Sequence, residues 1–193
     1  MSEKITSQNM ASLQFLLRWD SPQASHYDAL FARKVNFWSD IFPEVLFDKL
    51  VGRAAGEQFS IFSREISLVS PFSPGNEFAV EQWQFDRRFV YPSLIEPRVG
   101  RFYPKGILKA IPNVFKSNLE PFRCVGLNDE HVTVDFNHPL SRHEVGLDVR
   151  VVGVQKKLGE IGGSCTAWLE VAAEGPGMQA RYGGMPIDSF STD

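Results

Sequence analysis

Cysteine is nearly absent, with Cys124 and Cys165 the only two in 193 residues. Far apart in sequence, they offer neither a disulfide framework nor a C-x-x-C metal or redox site. An excess of one charge is also missing. Twenty Lys and Arg stand against 23 Asp and Glu, a formal −3, which argues against a protein that holds nucleic acid by charge. No apolar run is long enough to span a bilayer, and the start M-S-E-K-I-T-S-Q-N-M lacks the apolar core of a secretory signal. The expectation is a soluble cytoplasmic protein with reduced thiols. G-E-I-G-G is not a phosphate loop, and no G-x-G-x-x-G occurs. What the chain has in quantity is aromatic surface, sixteen Phe and four Trp, part of which is available to line a binding surface. Its length suffices for one sizeable core, or for one domain with another inserted in it.

Hydrophobic periodicity divides the chain. Residues 1–11 read as frayed. Leu13, Phe15 and Leu17 then alternate with polar or outward positions as a first strand ending at Asp20. From His26 the run H-Y-D-A-L-F-A-R-K-V-N-F-W has mixed spacing, as an irregular strand with a bulge would. Val45, Leu46, Lys49 and Leu50 lie at helical spacing, with Pro43 near the first turn and Asp40 as a candidate N-terminal cap. Gly52 and Gly56 close that segment, and E-Q-F-S-I-F-S begins another strand. Prolines at 71, 74, 92, 97, 104, 112 and 121 exclude a long helix from about 66 to 133 and favour short strands with one or two helical turns.

The stretch around which the rest is arranged is His131–Leu140, H-V-T-V-D-F-N-H-P-L. Val132, Val134 and Phe136 alternate with Thr133 and Asp135, and P-F-R-C-V-G-L before Asn128-Asp129 reads as the other arm of a hairpin. Beyond the polar turn N-H-P-L-S-R comes a second apolar run through Val145, Leu147, Val149, Val151 and Val154. After it K-K-L-G-E-I-G-G reads as a loop, C-T-A-W-L-E-V-A-A as an added strand with Cys165, Ala167, Leu169 and Val171 on one face, and the Gly- and Pro-containing end as a loop.

Side chains able to do covalent or metal chemistry are few. His131, His138 and His143 are close in sequence, but turn geometry explains H-P-L-S-R-H equally well and no carboxylate has ligand spacing, so no metal is expected. Cys165 in G-G-S-C-T has no nucleophile signature around it.

V-D-F-N-H-P-L, running from Val134 to Leu140 with a valine-rich strand after it, resembles the SlyD-type FKBP peptidyl-prolyl isomerases. In those a strand leaving an inserted chaperone domain reads V-D-x-N-H-x-L and re-enters the isomerase sheet. The order strand, irregular strand, short helix, glycine turn, strand is similar as well. The resemblance implies an α+β, mainly β fold: an FKBP-like antiparallel sheet curved around a short helix, at 12–67 and 134–175. A β-rich, insert-in-flap-like domain would occupy 68–133, and 176–193 would be a tail.

It also implies a pocket. The family's aromatic–Asp pair, basic residue and phenylalanine correspond by type and spacing to Tyr27-Asp28, Arg33 and Phe37. Tyr27, Asp28 and Phe37 would be catalytic. Phe15, Arg33, Phe42, Leu46, His138, Leu140 and Leu147 would line the substrate site, with Pro43 on its floor. Such a site needs no cofactor, because twisting an X–Pro amide requires only an apolar, water-poor pocket with one or two orienting polar groups. Departures are present. Leu46 stands where tryptophan is frequent, Leu147 where the last strand carries phenylalanine, and Ser141-Arg142 where an Ala-Gly pair is usual; S-P-F-S-P-G, offering only Phe72, replaces the Ala-Tyr-Gly flap. The His- and Cys-rich tail of some SlyD proteins has no counterpart. Two functions therefore compete: a prolyl isomerase and folding helper acting on unfolded, proline-containing polypeptide, or an FKBP-like protein-binding module without activity. In either, the aromatic, basic stretch Trp83–Tyr103 is a candidate surface for extended polypeptide.

Overall fold

The computed structural model describes residues 3–157 and 165–174. Along the chain lie β1 (Asn9–Asp20), β2 (Ser25–Asn36), α1 (Glu44–Leu50), β3 (Gln58–Phe62) and β4 (Glu77–Glu81). Then follow β5 (Phe102–Pro104), β6 (Pro121–Leu127), β7 (His131–Asp135), β8 (Val145–Lys156) and α2 (Trp168–Ala173). Two compact units result. The first runs to Phe72 and resumes at His138; the second is Ser73–Asn137. Both junctions lie four or five residues later than the 67/68 and 133/134 read from the sequence, and β7 belongs wholly to the second unit.

The first unit is a four-stranded antiparallel sheet in the order β2-β1-β8-β3. Strict alternation in β1 puts Ala11, Leu13, Phe15 and Leu17 on the buried face. The mixed spacing of β2 has a physical cause. Ala11 pairs with Val35 and Leu13 with Ala32, so Arg33 and Lys34 of β2 together oppose Ser12 of β1. That bulge re-phases the strand and lets Ala32 and Val35, three apart, both face the core. α1 contributes Leu46 and Leu50 to the same core. Gly52 and Gly56, at φ +84° and +92°, make the turn into β3, a conformation glycine adopts without a Cβ penalty.

Three expectations fail in this unit. From Lys4 to Ala11 the chain is not frayed, and Lys4 forms a bridge with Ala54. Ile5 is fully buried, its N–H donates to the Arg53 carbonyl at 2.8 Å, and its carbonyl accepts from Gly52 N–H at 2.9 Å. Asp40 does not cap α1, whose N-cap position is Pro43 and has no side-chain cap. The stretch expected as a strand over C-T-A-W-L-E-V-A-A is instead α2, with Leu169, Ala172 and Ala173 buried. Spacing of three and four outweighed the period-two pattern because those residues pack onto a sheet face rather than extend its edge. The expected loop K-K-L-G-E-I-G-G and the C-terminal loop fall largely or wholly outside the described residues.

The second unit is also antiparallel, in the order β4-β7-β6-β5. The expected hairpin is β6–β7. Asn128 Oδ1 accepts from the N–H groups of Glu130 and His131, fixing its turn. Phe122, Val132, Val134, Ile107 and Cys124 fill a separate core, with an aromatic chain Phe85–Tyr103–Phe122–Phe136 at centroid spacings of 5.1–5.8 Å. Gly106 is required there, since an added Cβ would collide with the Lys116 carbonyl. The prolines interrupt the chain as expected, giving short strands and single 3-10 turns at Pro74–Asn76, Gln82–Gln84 and Lys105–Ile107.

Candidate functional site

Pairing register decides which candidate residues share a face of the first sheet. Asp28 pairs with Leu17, Leu17 with Leu147, and Leu147 with Ile61. These four form one row on the buried face. The next row on that face is Leu30, Phe15, Val149 and Phe59. Tyr27 belongs to the opposite face, in a row with Arg18, Gly146 and Phe62, and is 74% exposed. Neighbours in a strand point apart, so the sheet does not bring the Tyr27 and Asp28 side chains to one pocket. Arg33 lies at the bulge, exposed, its carbonyl accepting from Ser12 Oγ at 2.8 Å.

The other candidates do converge, but as core. Phe37 packs at a tilt against Phe42 with ring centroids 5.5 Å apart and meets Phe47 edge-on at 6.3 Å. Leu46 and Leu147 are fully buried, as Phe15 and Leu140 nearly are, and all belong to one packed cluster with Leu169 and Ala172 of α2.

α2 lies against β1 and β2 and is clasped at both ends. At its start Asp40 accepts from Trp168 Nε1 at 2.6 Å and from Thr166 N–H at 3.2 Å, and its carboxylate also takes the Asn36 N–H at 2.8 Å. Ile41 N–H donates to the Thr166 carbonyl at 2.9 Å. At its end the Ala173 carbonyl meets His138 Nε2 at 2.7 Å. His138 Nδ1 accepts from Leu140 N–H at 3.1 Å, so Nε2 carries the proton and the imidazole is neutral. Burial pushes its pKa below the usual histidine range, and the bond to Ala173 only partly offsets that. The sequence reading missed this clasp. Its signal was the 169-172-173 spacing, masked by an equally tidy alternation from Cys165 to Val171.

Metal ligation has no geometric basis among the described residues, where no three His, Cys, Asp or Glu side chains cluster. His143 Nδ1 is engaged with the Asp20 carbonyl at 2.9 Å. His131 lies in the second unit, its Nδ1 at 3.8 Å from Glu130. Cys124 is buried, which pushes its thiol pKa up and leaves it a poor nucleophile. No described helix is long and apolar enough to cross a membrane.

The aromatic, basic stretch of the second unit divides in two. Phe85 and Tyr103 are core, while Trp83, Val90, Tyr91 and Leu94 stand exposed. Trp83 and Phe85 line an open cleft of about 330 Å³ with Asp86, Arg87, Arg88 and Lys109. Its frame is stiff. Asp86 N–H donates to the Ile107 carbonyl at 2.9 Å, Lys109 N–H to the Gln84 carbonyl at 2.7 Å, and Glu81 and Gln84 close a reciprocal capping box.

No protein-family model matches the chain, and no curated protein matches it in sequence.

Proposed function

We propose that the protein is a polypeptide-binding module, with an FKBP-like unit whose prolyl pocket is filled and a β-rich second unit that carries the binding surface. The observation that carries this reading is the packing of the candidate pocket. Phe15, Phe37, Leu46, Leu140 and Leu147 are each at most 5% exposed and belong with Leu169 and Ala172 of α2 to one packed cluster, which supports reading the prolyl site as occupied by the core's own side chains. Apart from Tyr27, the most exposed large apolar side chains among the described residues lie in the second unit, where Trp83, Tyr91, Leu94 and Phe115 are each at least 60% exposed. Contiguous exposed apolar groups mark interaction surfaces, and Val90, Tyr91 and Leu94 share one loop. Added to a protein that aggregates from its unfolded state, the full chain should suppress aggregation at a near-stoichiometric ratio. It should leave the cis–trans rate of a proline tetrapeptide unchanged. Failure to hold any unfolded polypeptide would refute the proposal.

A second reading, an active prolyl isomerase, is favoured by Asp28. Its place on the buried face beside Leu17 and Leu147 is where one polar group would orient a chain while apolar walls favour the twisted amide. Acceleration of the tetrapeptide that falls at least tenfold in Asp28→Ala would select this reading.

A further inference from the structure

Charge in the second unit is divided along the chain. Residues 82–123 carry eight Lys and Arg against three Asp and Glu, a formal +5, whereas 73–81 and 124–137 carry five acidic residues and no Lys or Arg. The same 82–123 stretch holds nearly all of the unit's large exposed apolar side chains, Leu127 being the one outside it. Cationic and apolar residues therefore coincide in this stretch of the chain, with the Trp83 indole donating to the Glu81 carboxylate at its border with β4.

At the cleft the distinction sharpens. Arg87 is spent on Glu96 at 3.3 Å and on Gln82 Oε1 at 2.8 Å, and Lys109 on Asp86 at 3.1 Å. That contact with Lys109 holds the Asp86 carboxyl below the usual range. The Arg88 guanidinium has no ion-pair or hydrogen-bond partner among the described residues, although its own N–H is fixed by Asp86 Oδ1 at 3.1 Å. It stands at the cleft with the exposed Trp83 indole. The loop that follows is closed by Ile95 N–H on the Arg87 carbonyl at 2.8 Å and presents Val90, Tyr91 and Leu94 to solvent.

We propose that this cleft and the loop beside it bind an extended acidic polypeptide segment, its carboxylate on Arg88 and its apolar side chains on Trp83 and the 90–94 loop. The inference rests on the polypeptide-binding reading above and names the chemistry of the partner. A planar guanidinium with no internal partner is suited to a bidentate carboxylate. Phosphate-rich nucleic acid fits less well. With Arg87 and Lys109 already engaged by Glu96, Gln82 and Asp86, the cleft leaves one guanidinium for a ligand anion, where a nucleic acid needs a row of cations along its phosphates.

The test uses the full chain and fluorescence anisotropy of labelled, unstructured peptides of about ten residues, a length that reaches roughly 33 Å when extended. One peptide alternates Glu with Leu and Phe, and its twin replaces each Glu with Lys. An oligothymidylate of similar length is the third probe. The acidic peptide should bind at least about tenfold more tightly than its basic twin at low salt, with the gap closing as salt rises. Arg88→Glu should weaken the acidic peptide about tenfold, Arg88→Lys less, and Trp83→Ala should weaken both peptides. Positions 83 and 88 are solvent-facing, so these variants should keep the parental melting temperature. Equal binding of the two peptides would overturn the charge inference and leave polypeptide binding standing. Binding of neither would overturn both. Tighter binding of the oligothymidylate, or an Arg88→Glu variant with unchanged affinity for the acidic peptide, would overturn the site.

Discussion

Removing the Asp40 carboxylate should undo the clasp on α2. In Asp40→Ala three donors lose their acceptor: the Trp168 indole at 2.6 Å, the Asn36 N–H at 2.8 Å and the Thr166 N–H at 3.2 Å. A hydrogen bond to a charged group contributes about 1.5–3 kcal/mol. Asp40 is half-buried and water can replace part of what is lost, so each bond should contribute less than that range, about 0.7–1.3 kcal/mol, and the three together about 2–4 kcal/mol. For a chain of this size that is a fall in melting temperature of roughly 4–16 °C. Asp40→Asn keeps one acceptor oxygen and should lose about half as much. Thermal unfolding reads the global effect, and hydrogen exchange at 166–173 reads the local one, since a helix of six residues has little stability without its packing. Rapid exchange at α2 with little exchange at β8 is the expected pattern. If both variants melt within about 1 °C of the parent, a surface-sized effect, the clasp is not what holds α2.

Two further substitutions probe the same unit. His138 is neutral in the folded state and its pKa is pushed down by burial, so protonation favours unfolding. Stability should be flat above the unfolded histidine value of about 6.5 and fall as pH drops below it, by up to about 1.4 kcal/mol per pH unit. Urea titrations of the parent and His138→Gln should diverge only below that pH, and parallel curves would contradict the buried neutral imidazole. Leu147→Phe restores the residue type that the FKBP resemblance leads one to expect. Leu147 is fully buried between Leu17 and Ile61, so the larger ring should destabilise by about 1–3 kcal/mol; a neutral or stabilising result would reveal an open pocket at that position.

Much of the fold was legible because period-two alternation is local. β1, the β6–β7 hairpin and the Val145–Val154 strand follow from it, and even the irregularity of β2 was visible as a broken period. What stayed hidden depends on partners distant in sequence. Ile5 is ordered by Arg53 and Gly52, which no reading of residues 1–11 reveals. Asp40 looked like a cap because it precedes Pro43 and a helical run, yet its partners Thr166 and Trp168 lie more than 120 residues away. Tyr27 and Asp28 matched a family spacing, but adjacent residues on a strand diverge to opposite faces, and only the register with β1 tells which one turns inward. The aromatic richness of 83–103 was plain; which rings are core and which are surface was decided by the prolines and 3-10 turns that orient them.

Exchange NMR on an isotopically labelled, unstructured acidic polypeptide with a single proline reads binding and catalysis in one experiment. With the full chain added, a polypeptide-binding module with a filled pocket should give shifts and broadening along the acidic and apolar residues, while cis–trans exchange of the X–Pro bond keeps its uncatalysed time constant of tens to hundreds of seconds. A faster cis–trans exchange would contradict the filled pocket, and an unperturbed spectrum would contradict the binding surface.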